Sequence, residues 1–178
     1  MRKVIFGGAN SLDNFFARTD NSVDWLLWSD DVTEIMKDLW PRFDCMVMGR
    51  KTYEVSIAMG APSHAGIDTY VFSRTMTPGR TDNGYEVVAD DPGDFVRRLK
   101  QQEGKDIMVM GGGDLARTLF EADVIDEIGL NIQPVLLGSG IPLFYEMSRQ
   151  IDLELIDCRR LKKGCVYVTY SVKHQQGQ

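Results

Sequence analysis

The stretch MVMGGGDLA, from Met108 to Ala116, joins an apolar run to a segment of helical period through three consecutive glycines. The apolar run is typical of a buried strand, and the segment after the glycines predicts a helix over 114–121. Glycines carry no side chain, so a phosphate can approach the backbone, and the N-terminus of the helix offers it unpaired N–H groups. The stretch therefore predicts a phosphate-binding turn. A tight strand-to-helix turn without a ligand is the alternative.

A second junction of the same form lies at VMGRKTYE, from Val47 to Glu54. Gly49 permits close approach of a ligand, and the helical turn after it carries two cations and a hydroxyl, namely Arg50, Lys51 and Thr52. Such groups at a helix N-terminus suit a phosphate, although an ordinary basic pair at a helix start is the alternative. The glycine spacing of a Walker motif is absent, so a P-loop is excluded.

A third strand ends on Ser73 and Arg74, within VFSRT. Ligands of open α/β sheets bind at the carboxyl ends of parallel strands, where these two side chains could hold another phosphate. Three phosphate-binding strand ends suit a dinucleotide with one phosphate beyond its pyrophosphate. NADP fits that count.

Strands and helices alternate along most of the chain. Apolar runs predict strands over 4–9, 45–49, 69–73, 85–89, 106–111 and 125–132, and helical periodicity predicts helices over 30–39, 50–58, 92–102 and 114–121. This order predicts a mostly parallel sheet covered on both faces. Residues 151–157 and 165–172 flank the turn KKG and predict a terminal antiparallel hairpin. We expect a single domain over 1–173 and a disordered tail over 174–178.

The composition excludes several classes of protein. Apolar residues make up 43% of the 178 residues, which excludes intrinsic disorder, and no apolar run approaches the ~20 residues of a membrane span. The net charge of -6 speaks against nucleic-acid binding. Three cysteines without CxxC spacing suggest neither disulfides nor a metal site. We expect a cytoplasmic protein with no metal, no membrane partner and a small-molecule ligand.

Five motifs in this order resemble the dihydrofolate reductase-like superfamily: SLDNFFA (11–17), DW (24–25), MGRKTYE (48–54), VFSR (71–74) and the stretch from Val109 to Phe144. The resemblance runs from Val4 to Val172 and is closer to the reductase, or C-terminal, domain of the bifunctional riboflavin-biosynthesis deaminase-reductase and its stand-alone relatives. It implies the three-layer α/β fold of that superfamily, a homodimer and the cofactor NADPH. Many relatives have glycine in place of Asn14, a residue type that adopts positive φ readily.

The resemblance also implies the residues that bind the cofactor. The nicotinamide is expected at Ala9, Phe16 and Ala17, and the 2'-phosphate at Ser73 and Arg74. The pyrophosphate is expected between two turns, formed by Gly49, Arg50, Lys51 and Thr52 on one side and by Gly111, Gly112, Gly113, Asp114 and Leu115 on the other.

The implied reaction is hydride transfer to an electron-poor C=N or C=O carbon, with a proton from Asp30, Asp31 or an ordered water. Capping of a helix is the alternative role of both aspartates. Trp25 and Asn131 are expected to border the substrate, either an aminopyrimidine with an open-chain ribose phosphate or a dihydropterin. A dihydrofolate reductase and a non-catalytic NADP-binding protein stay open as other functions.

Overall fold

The computed structural model describes residues 1–60 and 63–174. In these two ranges the elements follow one another as β1 (Val4–Ser11), β2 (Phe15–Ala17), α1 (Asp30–Leu39), β3 (Phe43–Gly49), α2 (Arg50–Ala58), β4 (Asp68–Phe72), β5 (Gly79–Arg80), β6 (Glu86–Val88), α3 (Pro92–Gln101), β7 (Asp106–Met110), α4 (Gly113–Glu121), β8 (Glu127–Gln133), β9 (Ile141–Pro142), β10 (Leu153–Arg160) and β11 (Val166–Val172).

Nine of these strands form one mixed sheet in the order β10-β11-β8-β1-β7-β3-β4-β6-β5. The six strands from β8 to β6 in that order run parallel, whereas β10, β11 and β5 are antiparallel to their neighbours. Strands β2 and β9 form a separate two-stranded sheet. The predicted mostly parallel sheet and its terminal hairpin are confirmed. The parallel strands therefore place all their carboxyl ends at one edge.

Helices cover both faces of the sheet, so that the parallel strands are apolar on both sides. Phe6 packs in one core cluster with Leu119 of α4 and Val96 of α3, while the next residue back, Ile5, belongs to a cluster that includes Ile57 of α2. Helix α1 lies on the α2 face, where Val32 packs with Leu161 and Cys165 near the hairpin. The expected three layers of the dihydrofolate reductase-like fold are therefore present.

Several predicted boundaries agree closely with the structure. Helix α1 spans the predicted residues, and α3 begins with Pro92 in its first turn and with the Asp91 side chain accepting the N–H of Asp94 at 3.0 Å. The short strands β2, β5 and β9 were not predicted, since two or three residues carry no periodic pattern.

The described part of the chain ends inside the predicted tail. In the predicted tail, His174 lies with its Nε2 3.0 Å from Asp126 Oδ1, and residues 175–178 fall outside the described ranges. Across those ranges, no helix has the length and apolar character that a membrane crossing requires.

Candidate functional site

The three predicted phosphate-binding strand ends lie side by side. Strand β3 pairs with β7 on one side and with β4 on the other, and the pairing reaches the last residues of each strand. Met48 is opposite Met110, and Gly49 is opposite Phe72. The turn after β7, the start of α2 and the loop after β4 therefore share one edge of the sheet.

Two of these junctions are in direct contact. Gly111 has a positive φ of 88° and faces the side chain of Thr52, so that a Cβ built on Gly111 would overlap the Thr52 hydroxyl. A Cβ on Gly49 would lie 3.9 Å from the Cβ of Leu115. Helices α2 and α4 thus begin next to each other, and the N–H groups of a first helical turn lack intrahelical partners. Two such helix starts together favour the pyrophosphate of a dinucleotide.

Backbone hydrogen bonds of Leu143 connect the turn at Gly111–Gly113 to the loop between β1 and β2. The Leu143 carbonyl accepts the N–H of Gly113 at 3.3 Å, and its own N–H donates to Asn14 O at 2.8 Å. A Cβ on Gly112 would lie 2.7 Å from the Leu143 carbonyl. Asn14 has a φ of 63°. A positive φ is what we expect at a position where many relatives have glycine. The main chain of Leu143 therefore fixes the distance between the expected pyrophosphate and nicotinamide ends, a role that sequence reasoning missed.

Cationic side chains surround the α2 start. Arg50, Lys51 and Arg74 are all exposed at this edge, in a chain whose net charge is -6. Arg50 donates from Nη1 to the Thr75 hydroxyl at 3.0 Å and lies 3.4 Å from Glu54. Arg74 makes no ion pair with any residue that the structure describes, so its guanidinium is available to a phosphate.

Ser73 and Asp114 have structural partners. The buried Ser73 hydroxyl accepts the N–H groups of Thr75 and Met76 at 3.2 and 3.0 Å and so shapes the loop that carries Arg74. Asp114 is exposed and pairs with Arg117 at 3.0 Å. Contact of either side chain with a cofactor stays a prediction.

The expected nicotinamide residues lie together at the end of β1. A Cβ on Gly8 would lie 3.3 Å from the Phe16 ring, and the partly exposed Ala9 is in register with Asn131 of β8. Ala17 is buried where β2 pairs with β9. The structure thus brings Ala9, Phe16 and the expected substrate residue Asn131 to the same edge as the phosphate junctions.

Two neighbouring strands, β1 and β8, carry most of the unpaired buried polar atoms among the described residues. The described residues include four buried side-chain atoms without a hydrogen-bond partner, and all four lie on β1, on β8 or in the segment before α1: Asn10 Oδ1, Trp25 Nε1, Asn131 Oδ1 and Gln133 Nε2. Buried polar groups in proteins are nearly always paired, so orphaned ones call for an explanation such as a ligand or water. Trp25 and Asn131 were predicted to border the substrate. Asn10 and Gln133 were missed because each lies one residue beyond the predicted strands over 4–9 and 125–132, whereas β1 and β8 extend to Ser11 and Gln133.

Asp30 and Asp31 lie at the outer rim of this edge. The Asp30 side chain is 93% exposed and its carboxylate lies 3.5 Å from Lys162 Nζ. Asp31 accepts a hydrogen bond from the Ser29 hydroxyl and, at 2.6 Å, the N–H of Lys162, and these bonds hold the pKa of Asp31 below its ordinary value. A proton donor would need a raised pKa. The contacts are those of a carboxylate that anchors α1 to the hairpin, and a catalytic role stays a prediction.

Tyr167 lies on the same face of the sheet as Asn131. A Cβ on Gly129 would lie 2.6 Å from the Tyr167 hydroxyl, and Tyr167 is opposite Asn131 in the pairing of β11 with β8. Burial raises the pKa of the Tyr167 phenol. The phenol is therefore neutral at physiological pH and adds a protonated hydroxyl that sequence reasoning missed.

Comparisons with known proteins agree with this architecture. The profile of the RibD C-terminal domain family matches residues 2–167. The chain is 31% identical over 182 residues to the uncharacterized protein YyaP of Bacillus subtilis (strain 168), a match that covers 95% of this chain and 94% of that protein.

Solved structures are similar to the chain as well. A Shewanella sp. PV-4 protein named for riboflavin biosynthesis superposes with a TM-score of 0.85 at 25% identity, covering 97% of this chain and 99% of that one. Dihydrofolate reductase from Enterococcus faecalis, solved with NADP(H), superposes with a TM-score of 0.69 at 16% identity over 96% of both chains, which is a likeness of fold.

Proposed function

The chain belongs to the RibD C-terminal domain family, and from this membership we propose that it is an NADPH-dependent reductase of a pyrimidine- or pteridine-type heterocycle, acting in the cytoplasm. Its activity would be similar to that of 5-amino-6-(5-phosphoribosylamino)uracil reductase in riboflavin biosynthesis. The observation that carries the proposal is the contact of Thr52 with the Gly111 turn, because it brings two helix starts together beside three exposed cations.

The residues at this edge fit NADPH. Backbone N–H groups at the starts of α2 and α4 would bind the pyrophosphate, with Arg50 and Lys51 adding charge. Arg74 would bind the 2'-phosphate that distinguishes NADPH from NADH. Ala9 and Phe16 would position the nicotinamide, and the Asn14–Leu143–Gly113 hydrogen bonds would hold the two ends of the site in register. The cofactor supplies the hydride when it is bound.

The chain's own residues would orient the acceptor and supply the proton. Trp25 and Asn131 present buried polar atoms without partners among the described residues, and Asn131 does so opposite Ala9, where a heterocycle could pair with it. The proton would come from Asp30, Asp31 or an ordered water. Replacement of both aspartates by Asn tests the carboxylates: loss of turnover with cofactor binding intact would support one of them, and full turnover would leave water or another donor.

We also propose that the protein is a homodimer. Strand β10 is an edge strand of eight residues whose apolar side chains Leu153, Leu155 and Ile156 are 40%, 55% and 54% exposed. A long exposed apolar edge is usually covered in natural proteins, and a second copy would cover it. Light scattering on the wild-type protein and on Leu155→Lys measures this: a dimer that the substitution converts to a monomer is expected, and a wild-type monomer would refute it.

Thermal unfolding with equal concentrations of NADPH and NADH is the first test of the function. Ligand at about 100 times its Kd adds about 2.7 kcal/mol of stability, so a rise in Tm of roughly 5 to 10 °C is expected with NADPH and a smaller one with NADH. Oxidation of NADPH in the presence of candidate heterocycles then separates a reductase from a non-catalytic NADP-binding protein. If neither cofactor changes the Tm, the proposed function is wrong.

A further inference from the structure

Gln133 carries a buried hydrogen-bond donor whose orientation is fixed. The side chain is at the end of β8 and is 1% exposed. Its Oε1 accepts the N–H of Leu27 at 2.9 Å and lies 3.4 Å from Cys165 Sγ. A backbone N–H can only donate, so the atom that it contacts must be the amide oxygen. The other amide atom, Nε2, is therefore an N–H donor, and it has no partner among the described residues.

An apolar residue at this position would avoid an unpaired donor. A buried donor without a partner costs stability, and the end of a strand offers no structural need for one. The Leu27 N–H bond accounts for the oxygen of Gln133 but leaves the nitrogen unexplained. A group that binds at this edge of the sheet would pair with it.

The neighbours of Gln133 indicate where that group lies. Asn131 is two residues earlier on β8, hence on the same face, and its Oδ1 is also buried and unpaired. Ala9 is opposite Asn131 and partly exposed, so this face is open to a ligand next to Asn131. The backbone of Leu27 also contacts Gln133, through the bond from its N–H to Gln133 Oε1. The donor of Gln133 therefore lies on the same face as Asn131, along one wall of the expected substrate position.

We infer that Gln133 orients the substrate, its Nε2 donating a hydrogen bond to a ring carbonyl of the heterocycle. This inference rests on the proposed function, because it places the acceptor ring beside Ala9. It adds a specificity-determining residue: the site selects a ring that presents a carbonyl to Gln133 over one with an amino group in the carbonyl position. An amino group would present a donor to a donor.

The test uses two probes that differ at these ring positions. 5,6-Diaminouracil carries ring carbonyls, and 2,4,5,6-tetraaminopyrimidine carries amino groups in their place. Binding of each to the full-length protein saturated with NADPH is measured for the wild type and for Gln133→Glu, which keeps an oxygen for Leu27 N–H and removes the donor. Gln101→Glu is the matched control, since Gln101 is exposed at the end of α3.

The wild type should bind 5,6-diaminouracil more tightly than the tetraamino probe. Gln133→Glu should lose at least about 10-fold for 5,6-diaminouracil with NADPH affinity unchanged, and the deficit should shrink at acidic pH, where the introduced carboxyl is protonated and donates again. Gln101→Glu should match the wild type. Gln133→Met, which carries no charge, should lose the preference without any recovery in acid.

Other results would overturn the inference. Equal losses for both probes would mean that Gln133 only supports the fold or holds an ordered water. Unchanged binding, or a wild type that binds neither probe or prefers the tetraamino probe, would show that Gln133 does not select the ring. NADPH binding is measured separately: if it is absent, the proposed function fails as well, whereas its presence confines the failure to Gln133. If Gln133→Glu does not fold, Gln133→Met decides.

Discussion

The side chain of Thr52 occupies the space where Gly111 would carry a Cβ, with the Thr52 Cβ 3.2 Å from that position. This contact joins the first turn of α2 to the turn before α4, although the two residues are far apart in the sequence. It exists because β3 and β7 are neighbours in the sheet and end level with each other. The spacing between the two helix starts, and hence the geometry offered to a pyrophosphate, depends on it.

Gly111→Ala should therefore disturb both stability and cofactor binding. The positive φ of 88° costs an alanine about 1 kcal/mol or more, and the overlap with Thr52 adds roughly 1 to 3 kcal/mol. Thermal unfolding measures the sum, and the rise in Tm with NADPH should shrink. Gly66→Ala is the control, since Gly66 has a φ of 79° and nothing within 4 Å of a Cβ. Equal destabilisation by both substitutions would contradict the overlap.

Arg74→Ala should reduce the preference for NADPH over NADH. Removal of an exposed guanidinium without an ion-pair partner among the described residues breaks no such ion pair, so stability should be nearly unchanged. A hydrogen bond to a charged group contributes about 1.5 to 3 kcal/mol, which corresponds to a loss of about 10- to 150-fold in NADPH affinity. Isothermal titration with both cofactors measures the ratio.

The control for Arg74 is Arg80→Ala, which removes another exposed arginine from the short strand β5. It should leave both affinities unchanged. If Arg74→Ala weakens NADPH and NADH to the same extent, the arginine contributes only general charge and the assignment of the 2'-phosphate position is wrong.

Asp31 should stabilise the fold at neutral pH and not in acid. Its hydrogen bonds from Ser29 and Lys162 lower its pKa below the ordinary value of 3.8 in the folded state. A group with a lowered pKa contributes stability above its unfolded pKa and loses that contribution as the pH falls through the folded value. Asp31→Ala should thus have a lower Tm than wild type at pH 7, and the difference should shrink as the pH falls below the ordinary value of 3.8 and vanish below the lower folded-state value.

Asp30→Ala separates this local effect from a general change of charge. The Asp30 side chain is exposed, and its one ion pair among the described residues is with Lys162 at 3.5 Å, so Asp30→Ala should lower the Tm at pH 7 less than Asp31→Ala does. A larger effect of Asp30 would mean that the Lys162 N–H bond to Asp31 contributes little to the anchoring of α1.

The sequence was sufficient to predict the sheet and the phosphate edge, because both rest on local patterns. Runs such as Asp106–Met110 are apolar on both faces, and glycines or cations follow them directly, so strand ends and their chemistry are visible together. The links made by Leu143 and the donor of Gln133 were not predictable in the same way. They depend on a backbone hydrogen bond between Leu143 and Asn14 and on the bond from the Leu27 N–H to the Gln133 side chain, in each case between residues more than a hundred positions apart.

The roles of Asp30 and Asp31 could not be predicted from the sequence, for a different reason. A carboxylate at a helix start has the same sequence pattern whether it caps the helix or donates a proton, and only the contacts of Asp31 with the hairpin distinguish the two environments. The position of Tyr167 was not predictable for a related reason. The alternating pattern of a strand places a tyrosine on one face, but its hydroxyl fits over the sheet only because Gly129 has no side chain.

The contact between Gly129 and Tyr167 predicts how substitutions at the two positions change stability together. Gly129→Ala places a Cβ 2.6 Å from the Tyr167 hydroxyl but 3.4 Å from its ring carbon, so the clash is with the oxygen alone. The single substitution should destabilise the protein by about 1 to 3 kcal/mol. In the Tyr167→Phe background the same substitution should cost markedly less, and the double-mutant cycle from chemical denaturation should give a coupling of about 0.5 to 3 kcal/mol. Additive effects would mean that the Tyr167 hydroxyl does not lie over Gly129 in solution. The face of the sheet that carries Asn131 would then lack the neutral donor that the structure places there.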